Sequence, residues 1–358
     1  MKIHQIVPSI YPNDAIGNEV MLMRDLLREW GYESDIFAID IHPSVRARPY
    51  REYENESSPQ NILIYHFAIG SEISQFIKTL PDKKLMIYHN ITPSHFFCGI
   101  NDNIMLTLKK GREELKSLSQ EFDLALADSE YNRIELERAG YDKSCVLPLL
   151  IDFSKYTTFN QDLLDEFSDD WVNIIFVGRI VPNKKHEDII KAFYYYKCIN
   201  PKSRLFLPGG YDNNEPYFQA LQSLVQRLNV SDVHFLGKVP FDDLVSYYML
   251  SDVFLCMSEH EGFNVPIVES MYFGIPIIAY NSSAIPYTLG NAGILVNKKD
   301  YCKLAELMDI IASDVKLKER LIHVQRERFK EFELGKTSIK FRQIINTLIN
   351  GIDGAISD

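Results

Sequence analysis

The stretch that decides the fold runs from Asp252 to Tyr272, DVFLCMSEHEGFNVPIVESMY. Its opening, Asp252 to Met257, reads as a buried strand. Val265, Ile267, Val268, Met271 and Tyr272 then recur at the spacing that puts them on one inner helix face. Pro266 suits the first turn of that helix, so the helix begins near Asn264 or Val265. The loop between, Glu261-Gly262-Phe263-Asn264, sets backbone N–H groups at a helix N-terminus, where partial positive charge suits a phosphate. Glu261 and Glu269 flank that loop with carboxylates, which suit sugar hydroxyls. A nucleotide-sugar carries both kinds of group. Two glutamates at this spacing also arise by chance, and a glutamate near a helix start is commonly only a dipole partner.

The segments on either side belong to the same pattern. Trp171 to Phe193, WVNIIFVGRIVPNKKHEDIIKAF, reads as strand, loop and helix; Val233 to Gly237 and Leu244 to Asp252 supply the next strand and helix. Gly274 to Ala279 (GIPIIA) and Gly290 to Val296 (GNAGILV) follow the stretch. In this order the motifs resemble the E-x7-E signature and donor segment of retaining glycosyltransferases of the GT-B fold, especially glycosyltransferase family 4. The resemblance implies an α/β chain with two Rossmann-like, doubly wound parallel-sheet domains facing a central cleft. Residues 1–165 would form an acceptor domain and 170–335 a nucleotide-sugar donor domain. A closing helix within 336–358 would pack back on the first.

Composition sets independent bounds. The chain has 358 residues, 46% hydrophobic and 24% charged, enough for two cores. A net charge of -11 argues against a nucleic-acid partner, which calls for a positive field. Neither a signal-peptide pattern nor a membrane-length apolar run stands out in the sequence. Cys98, Cys145, Cys198, Cys256 and Cys302 are dispersed and lack C-x-x-C spacing, as expected of core residues in a reducing compartment. A cytoplasmic protein is expected.

The amino-terminal half opens strand–loop–helix, with Lys2 to Ser9, a loop, and Asn18 to Trp30. The loop Pro12 to Asn18 sits where the resembling family carries a glycine pair; here Gly17 stands alone, leaving Asp14 and Gly17 as substrate-binding candidates or as ordinary turn residues. Residues 46–60 read as a surface loop. The strands Asn61 to Phe67 and Lys84 to Asn90 each carry Tyr-His near the carboxyl end, at His66 and His89, where open α/β sheets meet their ligands. The resemblance sets His89 opposite the donor sugar. Asp128 stands where the family has asparagine. Around residues 104–118, Lys109, Lys110, Arg112 and Lys116 give a helix basic character, fit either for solvent or for weak peripheral contact with an anionic membrane. Phe153 to Asp170 is polar and reads as the linker.

Glycosyl transfer without a metal needs cations and oriented N–H groups for the leaving diphosphate. No D-x-D motif is present, and neither a metal nor a cofactor is expected. The resemblance gives Arg179 and Lys184 the donor phosphates, Glu261 the hexose and Glu269 the ribose. It gives sugar hydroxyls or phosphate to Gly262 and Phe263, with Asn264 and Val265 beside them. Gly178 and Gly209 would allow close backbone approach. Lys185, where the family carries glycine, is expected to be exposed. The implied activity is hexosyl transfer with retention from a UDP- or GDP-sugar, such as UDP-glucose or GDP-mannose. The acceptor would be a carbohydrate or lipid-linked saccharide of a surface polysaccharide. A nucleotide-sugar epimerase and a non-catalytic nucleotide-sugar sensor remain the alternatives.

Overall fold

The computed structural model describes residues 1–12 and 14–351. The chain divides into two compact units, one built from residues 1–95, 102–152 and the segment from Phe332 onward, the other from 96–101 and 153–331.

In the first unit seven strands run parallel: β1 (Ile3–Ile10), β2 (Ile36–Ile41), β3 (Arg48–Pro49), β4 (Ile62–Phe67), β5 (Lys83–Tyr88), β6 (Leu124–Ala127) and β7 (Ser144–Val146). Their order is β3-β2-β1-β4-β5-β6-β7. Every residue of β4 and β6 is buried, as parallel strands covered on both faces require. The helices between them are α1 (Ala15–Glu29), α2 (Ile73–Ile77), α3 (Asp102–Ser117) and α4 (Glu130–Ala139). Ser129 caps α4 by accepting from Asn132 N–H, and Gly140 ends it in the left-handed conformation.

Residues 46–60 differ from the surface loop expected of so charged a stretch. They contain β3 and a 3-10 turn, Tyr50–Asn55, and both Tyr50 and Tyr53 are buried. The Tyr53 hydroxyl donates to Asp82 Oδ1 at 2.6 Å, and the Arg48 guanidinium lies 4.8 Å above the Phe37 ring. The charges occupy the outside of a segment pinned by two aromatic rings.

The second unit holds β8 (Val172–Ile175), β9 (Ser203–Pro208), β10 (Val233–Gly237), β11 (Val253–Cys256), β12 (Ile277–Tyr280) and β13 (Ile294–Val296), parallel and ordered β10-β9-β8-β11-β12-β13. Its helices are α5 (Gln161–Glu166), α6 (His186–Ile199), α7 (Pro216–Leu228), α8 (Phe241–Met249), α9 (Val265–Phe273), α10 (Ile285–Leu289), α11 (Tyr301–Ser313) and α12 (Val315–Phe329). Both sheets are doubly wound, with the strand order reversing between β1 and β4 in one and between β8 and β11 in the other. Ligands of such sheets bind beyond the carboxyl ends of strands at that reversal.

By contacts the division falls between Asp152 and Phe153. The Phe153 ring lies 4.9 Å from those of Tyr272 and Phe329, Thr158 Oγ1 donates to Asp242 at 2.6 Å, and Asn160 caps α5. Side chains that look like linker therefore anchor in the second unit. The last helix, α13 (Leu334–Asn350), rejoins the first unit: Phe341, Ile344, Ile345 and Leu348 share an apolar cluster with Ile3, Met23, Leu27, Ile62 and Leu85. Residues 352–358 of the expected closing helix, and Asn13 of the first loop, lie outside the described residues.

Candidate active site

In the second unit the reversal between β8 and β11 brings together the two loops that follow those strands. Lys184, from the first loop, places Nζ 2.8 and 2.9 Å from the two carboxylate oxygens of Glu261, from the second. Asn183 fixes their register. Its Oδ-bearing side chain donates Nδ2–H to His260 O at 2.9 Å, and its carbonyl accepts Glu259 N–H at 2.8 Å. On the far side Glu261 N–H reaches Ser283 Oγ at 2.8 Å, and Ser282 Oγ donates to Ser258 O at 2.6 Å. The ion pair thus rests on loops bonded to each other and to the segment after β12.

Gly178 and Gly209 earn their place by contact. A Cβ on Gly209 would lie 1.9 Å from Gly178 O, and a Cβ on Gly178 would lie 3.0 Å from Lys184 Cδ. The two backbones touch, and the Lys184 stem lies along Gly178. Arg179, between them in sequence, is exposed and makes no hydrogen bond or ion pair among the described residues. Its guanidinium is available to an anion.

The helix mouth is leaner in amides than expected. α9 begins at Val265 after Asn264 in the left-handed region (φ 73°), Pro266 has no N–H, and Ile267 N–H is taken by Asn264 O at 3.0 Å. Val265 is half-buried at the first helical position, while Phe263 is buried and its carbonyl accepts the Thr288 hydroxyl at 2.6 Å. Gly262 stays half-buried in the loop between Glu261 and Phe263.

Glu269, on the buried face of α9, accepts the Tyr156 hydroxyl on Oε1 and the Tyr248 hydroxyl on Oε2, each at 2.5 Å. Burial raises its carboxyl pKa above the usual range, and the two tyrosine bonds partly restore it. Burial, then Glu269 itself, pushes the Tyr248 phenol well up, so it remains a donor.

Lys185 is not merely exposed. It takes left-handed φ/ψ (55°, 46°) between the 3-10 turn Pro182–Lys184 and α6, the conformation that glycine adopts most readily. Its Nζ lies 3.3 Å from Glu259 and 3.5 Å from Glu187. Burial lowers its pKa, but Glu187 and Glu259 outweigh that and raise it. Lys299 completes the cluster, 2.7 Å from Asp188 and 2.8 Å from Glu259.

In the first unit the expected site residues Asp14, Gly17 and His89 have partners within the unit. Asp14 caps α1 by accepting Gly17 N–H at 3.2 Å, and a Cβ on Gly17 would lie 2.2 Å from Tyr11 O. The Gly17 amide is committed to the cap. His89 has both ring nitrogens engaged: Nδ1 lies 3.0 Å from Asp128 Oδ2 and Nε2 lies 3.0 Å from His66 Nδ1. Its side chain is 1% exposed. Here it has no ring nitrogen to offer a donor sugar.

The proton positions follow from the chain of partners. Gln5 donates Nε2–H to Val20 O, which turns its Oε1 to His66 Nε2 at 2.9 Å, so His66 donates there. Burial, then His89, holds His66 well below the usual histidine range, so it is neutral and its Nδ1 accepts His89 Nε2–H. His89 Nδ1 and Asp128 then share one proton. Burial alone would lower the His89 pKa; Asp128 and then Glu19 reverse this and raise it. Glu19 accepts Leu150 N–H at 3.0 Å, and burial pushes its carboxyl up to about 8.

Among the described residues, two sets offer ligand atoms within 4.8 Å of one another for a metal ion: Glu19, His66 and His89, and His4, Glu33 and Glu56. Both lie in the first unit, and in the former the facing His66 and His89 nitrogens already bond each other. On α3, Arg112 turns inward to Ile91 O and Glu135, and Lys110 faces Glu114 at 3.5 Å, which thins the basic face. No helix among the described residues is long and apolar enough to cross a membrane.

Tyr156, Tyr248, Asn183 and Ser283 are the site-supporting residues that the sequence pattern did not single out. Tyr156 had one signal, an aromatic residue three after Phe153 inside an otherwise polar stretch.

Two parallel doubly wound sheets, with a basic loop and an acidic loop meeting at the second reversal, define a Rossmann-like protein of the GT-B architecture. Residues 165–328 match the family described as Glycosyl transferases group 1. Among relatives, the O-antigen chain mannosyltransferase B of Escherichia coli is 24% identical over 274 residues, covering 73% of this chain and 66% of that protein. A GDP-mannose-dependent monoacylated alpha-(1-6)-phosphatidylinositol monomannoside mannosyltransferase of Corynebacterium glutamicum is 24% identical over 223 residues, covering 58% of this chain and 57% of that protein. The chain thus spans less than two thirds of the length of these relatives. Sucrose-phosphate synthase from Thermosynechococcus elongatus superposes with a TM-score of 0.76 at 17% identity, over 98% of this chain and 100% of that one. The Anabaena HepE protein in complex with UDP-glucose does so at 0.75 and 16% identity, over 97% and 100%. At these identities the likeness speaks to the fold.

Proposed function

We propose that this protein is a glycosyltransferase that moves a hexose, with retention of anomeric configuration, from a nucleotide-sugar to a saccharide or glycolipid acceptor. The observation that carries the proposal is the Lys184–Glu261 pair at the β8/β11 reversal, with Arg179, five residues before Lys184, unpaired among the described residues. A leaving diphosphate gains charge as the glycosidic bond breaks. Arg179 and Lys184 stabilise that charge, and Glu261, freed from part of its pairing with Lys184, turns to the hexose hydroxyls. Glu269 takes the ribose. The mannosyltransferase relatives favour GDP-mannose over UDP-glucose as donor and a surface polysaccharide or glycolipid as the setting. Neither Arg179 nor Lys184 needs a metal in order to meet the phosphates.

The test is product analysis with GDP-[14C]mannose and, in parallel, UDP-[14C]glucose. Transfer is expected where an acceptor is supplied, and slow release of free sugar without one. Both should be lost in Arg179→Ala and Glu269→Ala. Release of an epimerised nucleotide-sugar would establish the epimerase alternative; tight donor binding with no turnover in any acceptor mixture would establish a sensor.

A further inference from the structure

Glu269 is held on both carboxylate oxygens, and its partners set what it can read. A phenol has one O–H, and Tyr156 and Tyr248 both spend it on Glu269, one on each oxygen at 2.5 Å. The rings are held in turn. Tyr248 is fully buried and stacks on Phe273 (centroids 5.1 Å apart, planes 9° apart), and the Tyr156 ring meets Phe241 edge-on at 4.9 Å. With both oxygens accepting, Glu269 has no proton to give and keeps one further acceptor position on each oxygen. Two fixed acceptors on one carboxylate match two adjacent hydroxyls.

We infer that Tyr156 and Tyr248 are positioning residues that lock Glu269 as an acceptor-only carboxylate for a ribose cis-diol, making the protein selective for ribonucleotides over their deoxy forms. The inference rests on the nucleotide-sugar assignment above and adds the tyrosine pair and the sugar discrimination to it. Without a tyrosine hydroxyl, the carboxylate oxygen it held turns to water or takes up a proton. The diol then loses its preformed partner while the phosphate contacts at Lys184 and Arg179 stay as they were. The signature is therefore a loss of discrimination, not a uniform loss of affinity.

The experiment is calorimetric titration of the full chain with GDP and 2′-deoxy-GDP, and with UDP and 2′-deoxy-UDP. Wild type is expected to prefer the ribo form by about tenfold or more, as for a hydrogen bond to a charged group. Tyr156→Phe and Tyr248→Phe should bring the ratio to roughly threefold or less. Lys184→Ala should weaken both forms alike and keep the ratio. Tyr156 is half-buried at the start of the unit, so Tyr156→Phe answers the question even where Tyr248→Phe fails to fold. Retention of full discrimination by Tyr156→Phe, or equal binding of ribo and deoxy forms by wild type, would overturn the inference and leave nucleotide binding standing. Binding of none of the four by wild type would instead remove the nucleotide-sugar assignment and the inference with it.

Discussion

Removing the cation from the Lys184–Glu261 pair should cost the second unit more than its surface position implies. Lys184 Nζ contacts both oxygens, at 2.8 and 2.9 Å, and the side chains are only 18% and 9% exposed. A fully buried carboxylate left without its partner costs about 3–5 kcal/mol; the exposure remaining here lowers this to about 2–3 kcal/mol for Lys184→Met. Glu261→Gln should cost about 1 kcal/mol, because the lysine can reach water. The double variant should recover about 1–2 kcal/mol relative to the sum of the singles. Of the two tryptophans, Trp30 lies in the first unit and Trp171 in the second, so fluorescence of Trp171 in a Trp30→Phe background follows the second unit alone. At about 2–4 °C per kcal/mol for a unit of this size, Lys184→Met should lower its midpoint by roughly 5–10 °C. A coupling energy below about 0.5 kcal/mol would show that the pair does not form in solution and refute the reasoning.

Two further predictions concern packing and pH. Gly209→Ala would set a methyl 1.9 Å from Gly178 O, so the loops must separate; a loss of about 2–3 kcal/mol in the same fluorescence assay, with weaker nucleotide binding, is expected, and wild-type stability would contradict it. Glu19 is raised from 4.5 to about 8 on folding, so its contribution is fully present below about pH 4.5 and is lost as pH rises through about 8. At about 1.4 kcal/mol per pH unit this is at most about 5 kcal/mol. Glu19→Gln, which can still accept Leu150 N–H, should therefore gain stability relative to wild type between pH 5 and about 8.5, measured by urea unfolding of the first unit; parallel pH profiles would contradict the burial argument.

The alternation of apolar strands with amphipathic helices was legible because parallel strands are apolar on both faces: Asn61 to Phe67 and Asp123 to Asp128 could be little else. Lys184 and Glu261 were each legible through the resemblance of their loops to a known family's motifs, but their pairing was not, because it joins positions 77 residues apart. Three things were hidden, each for a reason. Tyr50 and Tyr53 sit among charges of both signs, and periodicity does not reveal which side of a 3-10 turn is buried. Tyr156 reaches Glu269 across 113 residues of sequence, a distance that local patterning does not span. His89 lies at a strand end, as a ligand-facing residue would, but Asp128 and His66 are packed against it, and only their coordinates show both ring nitrogens engaged.

Calorimetric titration of GDP into wild type, Arg179→Ala, Lys184→Ala and the surface control Lys202→Ala bears most directly on whether the β8/β11 reversal holds a diphosphate. Loss of about tenfold to a hundredfold in affinity for the first two variants, with the control unchanged, is the expected result. Wild-type affinity in both Arg179→Ala and Lys184→Ala would mean that the diphosphate lies elsewhere.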